Sequence, residues 1–168
     1  MDKKQIFKEM QIAIEENNND KVMGVINTEE GSLNMMTPFG TWLHLAASKG
    51  RIEVVKKLID LGIDVNKKGG TFNAGAIERA AANGHIEVVK YLINYGAKLD
   101  TSEPESNTLF SAIQGGHLDI VKLLIENGID TTIKYTGDNM SNMDAVAFAR
   151  EQGQMEIAEF IEKNGVKC

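Results

Sequence analysis

The sequence predicts an all-α solenoid of helix-turn-helix units, on three observations. First, the stretch from Asn83 to Gly96 recurs: Gly50-Arg51-Ile52-Glu53-Val54-Val55 and Gly116-His117-Leu118-Asp119-Ile120-Val121 repeat its opening, and these copies close on Gly62 and Gly128. A fainter copy runs from Gly153 to Gly165. Second, the opening glycines lie 34, 32 and 37 residues apart, a period of about 33 that marks a stacked array. Third, the apolar residues of each copy, such as Val88, Val89, Leu92 and Ile93, fall at i, i+1, i+4 and i+5 and so form one stripe on a helix.

The elements of a unit follow in order. A leading glycine makes a tight turn and a closing glycine supplies a left-handed helix cap. Upstream of each leading glycine lies a second short helix, read from Leu43-His44-Leu45-Ala46-Ala47, Ile77-Glu78-Arg79-Ala80-Ala81, Leu109-Phe110-Ser111-Ala112-Ile113 and Val146-Ala147-Phe148-Ala149. Its alanines let neighbouring helices approach closely. A polar loop then leads into the next unit.

Gly40-Thr41-Trp42-Leu43-His44-Leu45-Ala46-Ala47-Ser48-Lys49-Gly50, followed by Val54-Val55, Leu58-Ile59 and Gly62-Ile63-Asp64-Val65-Asn66, resembles the ankyrin repeat, and the likeness covers roughly residues 36–165. The resemblance implies L-shaped pairs of antiparallel helices, loops that project as β-turn fingers, and a concave surface of fingers and inner helices. It also implies binding of protein partners without catalysis. Trp42 stands where the family usually has proline, and the histidine position of later units reads Glu78, Phe110 and Ala147. The inter-repeat hydrogen bonding that the family builds around His44 is therefore left open in those units.

The expected organisation is a degenerate N-terminal capping repeat at 1–33, repeats at 34–67, 68–101 and 102–138, the last with a long finger, and a C-terminal capping repeat at 139–168. In the first unit Phe7, Met10 and Ile14 keep helical spacing, while Asp20 and Asn27 replace isoleucines of later units. Glu162 occupies the place of Ile59, Ile93 and Ile125. Polar residues on outward faces suit the ends of an array, so the chain reads as complete.

A single cysteine, Cys168, permits no disulfide framework and suits a reducing compartment. The charged N-terminus has no signal-peptide apolar region, and no stretch approaches the ~20 apolar residues of a membrane helix. The expectation is a soluble, cytoplasmic monomer. Its net charge of −6 is unevenly placed: residues 1–99 carry 12 acidic and 13 basic side chains, residues 100–168 carry 12 and 5. That argues against nucleic acid, which needs clustered Lys and Arg, and favours a basic protein partner. Acidic surface that serves only solubility is the alternative.

No catalytic, cofactor or metal site is read. His85 and His117 hold the same position in successive units, about 8–10 Å apart, too far to share a zinc at ~2 Å. Cys168 has no histidine beside it, and Gly69-Gly70 and Gly115-Gly116 lack the Lys-Ser/Thr of a phosphate loop. Glu53, Glu87, Asp119 and Glu156 recur with the scaffold, as solvated or dipole-facing charges do.

The connectors differ, and contacts are expected there. Phe39, Trp42, Phe72, Tyr135 and Met140 are the candidate partner-binding anchors, with Glu103, Glu105 and Asp138 as their electrostatic complement. Each aromatic either binds or folds back over the neighbouring finger. On the binding reading, Tyr135→Ala leaves the melting temperature nearly unchanged. Tyr91 and Tyr95 are read as convex surface residues without a role. Stand-alone arrays rich in Asn, Lys and Ile resemble bacterial ones, some of them immunity proteins that neutralise a toxin; an exported effector acting on host proteins is the other functional reading.

Overall fold

The computed structural model describes residues 1–165. Five antiparallel helix pairs follow one another: α1 (Lys3–Glu15) with α2 (Asn19–Ile26), α3 (Trp42–Ser48) with α4 (Ile52–Asp60), and α5 (Ala76–Ala82) with α6 (Ile86–Asn94). The pairs α7 (Thr108–Gly115) with α8 (Leu118–Glu126) and α9 (Ala145–Glu151) with α10 (Met155–Asn164) complete the array. The odd-numbered helices pack on one another as an inner row and the even-numbered helices as an outer row. Each pair thus touches its neighbours, as a linear array requires.

The buried stripe is the one the periodicity predicts. Val54, Val55 and Leu58 of α4, Val88, Val89 and Leu92 of α6, and Ile120, Val121 and Leu124 of α8 are all core. Ala46, Ala47, Ala80, Ala81, Ala112 and Ala149 are buried along the inner row, where small side chains keep the helices close. Helix starts are capped by side chains that withdraw orphan N–H groups: Asn18 Oδ1 accepts from Lys21 N, Asn107 Oδ1 from Leu109 N and Phe110 N, and Asp144 Oδ1 from Ala147 N.

The glycines before three of the outer helices, Gly50, Gly84 and Gly116, have a second task besides turning, since each leaves room for a side chain of the following unit. Gly84 sits at φ +78, and a Cβ there would come within 2.6 Å of the His117 ring. His117 Nε2 donates to the Ala82 carbonyl at 3.2 Å, and His85 Nε2 donates likewise to Ser48 at 3.0 Å. The two repeated histidines thus fasten their units to the end of the preceding inner helix. Gly165 departs from expectation, with φ −65 and an extended backbone rather than a left-handed cap.

Four fingers project on the inner-helix side. The first is closed by a Thr37–Gly40 bridge and the second by a Gly69–Ala74 bridge. The third is the 3₁₀ turn Pro104–Ser106, and the fourth is an antiparallel hairpin of β1 (Tyr135–Gly137) and β2 (Met140–Met143). The extra length before the last unit therefore folds as a two-stranded ribbon. Lys68 Nζ joins the second finger to the third by bonding Asp100 Oδ2 at 2.5 Å and Ser106 Oγ at 3.2 Å. That contact holds the Asp100 carboxyl at about 2, well below its ordinary range.

Two expected anchors are corrected here. Trp42 is fully buried; its Nε1 donates to the Ser32 carbonyl at 2.8 Å, and its ring lies 6.1 Å from Phe7. As the first residue of α3 it turns back into the preceding unit. Tyr135 is only 8% exposed; its hydroxyl accepts from Asn107 Nδ2 at 2.9 Å and donates to the Thr101 carbonyl at 2.7 Å. The start of β1 tucks the ring edge-on against Phe110, 5.1 Å between centroids. Neither residue offers a side chain to a partner, because each is holding two units together.

Candidate functional site

The remaining candidates lie on or beside the fingers. Phe72 is 62% exposed at the tip of the second finger, and Phe39 is 58% exposed on the first. Phe39 also stacks on Phe7 at 6.0 Å, so it both covers the first unit and faces solvent. Met140 is half-buried on β2, while Glu103, Glu105 and Asp138 are exposed on the third and fourth fingers.

Three of these candidates meet in one groove. Phe72, Glu105 and Met140 line a cleft of about 390 Å³ whose floor is made by α5, α7 and α9. Glu103 and Asp138 lie outside that lining, and Phe39 stands next to a different cleft, of about 650 Å³, lined by Ile6, Phe7, Met36 and Pro38. The sequence reading missed the floor. Arg79, Phe110, Gln114, Phe148 and Gln152 all line it, with Phe110 and Phe148 stacked at 4.4 Å and nearly parallel. The signal was available: Arg79, Ser111 and Phe148 are equivalent positions of successive inner helices, and all three line the groove.

The groove also contains the answer left open at the histidine position. His44 Nδ1 accepts from Thr41 N at 3.1 Å, and its Nε2 donates to the Ala74 carbonyl of the next unit at 3.0 Å. In the next unit Glu78 makes the same two kinds of contact: Oε2 accepts from Gly75 N at 2.7 Å and Oε1 from Thr108 Oγ1 at 2.6 Å. At Phe110 aromatic stacking and the Tyr135 hydroxyl take over that bridging. Burial is the main cause of both pKa changes here, pushing the Glu78 carboxyl up and the His44 imidazole down.

Glu78 should therefore give stability a pH dependence that Glu78→Gln removes. As pH rises past the ordinary carboxyl value of 4.5, the unfolded chain releases its proton before the folded one does. Folding is progressively penalised until the buried carboxyl ionises too. His44 acts in the opposite sense, because below 6.5 the unfolded chain takes up a proton first, so the variant must be compared with wild type across one pH series. The expected result is a urea midpoint that falls less for Glu78→Gln than for wild type from pH 4.5 towards neutrality. Parallel curves would mean that Glu78 is equally ionised in both states.

Two ankyrin-repeat family models match the chain, the three-copy model over residues 77–168 and the many-copy model over residues 43–93. The chain belongs to the ankyrin-repeat family. No curated protein matches it. Ankyrin repeats generally mediate protein–protein interaction and are typically non-catalytic, and among the described residues of this array no helix is long and apolar enough to cross a membrane.

Proposed function

We propose that this array is a non-catalytic module that grips one basic protein through its fingers and the groove beneath them. Phe72 carries the reading, because an aromatic ring left 62% exposed at the mouth of a groove serves no packing of its own unit. Exposed aromatics at such sites dominate interface energetics. Met140 and Phe39 add apolar contact on either side. Glu103, Glu105 and Asp138 supply the attraction, in residues 100–168, where acidic side chains outnumber basic ones 12 to 5. The finer form of this reading is a cytoplasmic immunity protein, an acidic inhibitor that neutralises a basic toxin.

Capture from a lysate of the source organism, followed by binding kinetics on the captured protein, tests the proposal. Phe72→Ala should weaken binding by about 2 kcal/mol, mainly through faster dissociation. Reversal of Glu103, Glu105 and Asp138 to Lys should slow association about tenfold or more at low salt and flatten its salt dependence. An unchanged association rate would remove the acidic fingers from the binding surface. A captured protein that is toxic when expressed alone and harmless beside this chain would support the immunity reading; a harmless partner would exclude it.

A further inference from the structure

Arg79 is the least explained side chain of the groove. It replaces Leu45 of the preceding unit, a half-buried residue packed against the core. Its Nε is shut off from solvent without a hydrogen-bond partner, and among the described residues its guanidinium forms no hydrogen bond or ion pair. Arg51 Nε and Asn19 Oδ1 share that status, but neither lines this groove. Gly70 stands at φ +76 beneath the Arg79 guanidinium, and a Cβ there would come within 2.7 Å of Arg79 Nη2, so the second finger leaves room for this side chain by carrying glycine.

We propose that Arg79 is the receptor for a side-chain carboxylate on an extended apolar segment of the partner, which lies along the groove between Phe72 and Met140. The inference rests on the reading of the finger face as the binding surface and names the chemistry recognised there. A guanidinium presents a planar fork of donors that matches a carboxylate, and at Arg79 a ligand has no protein partner to displace from that fork. Phe72, Phe110, Met140 and Phe148 give apolar walls for the flanking residues, and the Gln114 and Gln152 amides can meet a peptide backbone. Glu105 on the same lining selects against a second negative charge and for a neighbouring lysine or arginine. A partner that is basic overall can thus carry one acid at the point of contact.

A display library of random linear peptides, selected on the intact protein, tests this without knowledge of the partner. Selected peptides should share one Asp or Glu among apolar residues and should lose about tenfold or more in affinity for Arg79→Met, which keeps much of the aliphatic stem. Arg79→Lys should lose less. Changing the shared acid to its amide should cost wild type the same factor and cost Arg79→Met nothing further, since a lost pair is lost once. Circular dichroism and melting curves confirm that both variants are folded. Peptides without a shared acid, binding that Arg79→Met leaves intact, or failure to enrich any peptide would each overturn the inference. Peptides that need Phe72 but ignore Arg79 would sink the carboxylate clamp and leave the finger surface standing; peptides indifferent to both would sink the two together.

Discussion

Leu92→Asp should leave the protein unfolded at room temperature. Leu92 has no exposed surface, and α6 packs against α4, α5 and α8. Truncating such a leucine costs ~2–5 kcal/mol, and a carboxylate with no partner in that space adds several more. The sum reaches the ~5–15 kcal/mol that typically separates folded from unfolded chains. In a linear array the position decides how far the damage spreads, because a central unit shares an interface with a neighbour on each side. Far-UV circular dichroism should show loss of helix across the whole chain, while Leu92→Met, of similar volume, should stay within ~1.5 kcal/mol of wild type. A Leu92→Asp protein that keeps its helix content and its melting temperature would place that side chain outside the core.

The same residue shows why the fold was legible. Leu92 and its equivalents Leu58 and Leu124 recur with a glycine at each end, and a period of about 33 residues has few physical solutions besides stacking. The site was legible only in part, for reasons that differ by residue. Phe72 and Glu105 sit on finger tips, where position along the repeat implies exposure. Trp42 and Tyr135 sit at the feet of fingers, where the chain turns inward, and distance along the sequence does not show which way a side chain points. Glu78 could not be recognised as the counterpart of His44 from its own unit, since its second partner, Thr108, lies 30 residues on. Arg79 was passed over because a charged residue on an amphipathic helix is usually solvated, and only its approach to Gly70 of the second finger and its shut-off Nε show otherwise.

Tyr135→Ala should lower the melting temperature by about 10 °C, taking ~3–5 kcal/mol for loss of a large buried aromatic and ~2–4 °C per kcal/mol for a chain of this length. This reverses the expectation drawn from sequence, in which Tyr135 faced a partner. Two contributions can be separated. Tyr135→Phe keeps the ring against Phe110 and removes the hydroxyl, leaving Asn107 Nδ2 and the Thr101 carbonyl without that partner; a buried group so stranded costs ~1–3 kcal/mol. The hydroxyl has a further effect because the Asn107 amide it orients also caps α7, with Oδ1 accepting from Leu109 N. If Phe and Ala lower the melting temperature equally, the hydrogen bonds carry the contribution and the ring is incidental. If Phe is neutral and Ala severe, packing against Phe110 carries it. If Ala is neutral too, Tyr135 is not core, and its side chain is again a candidate contact.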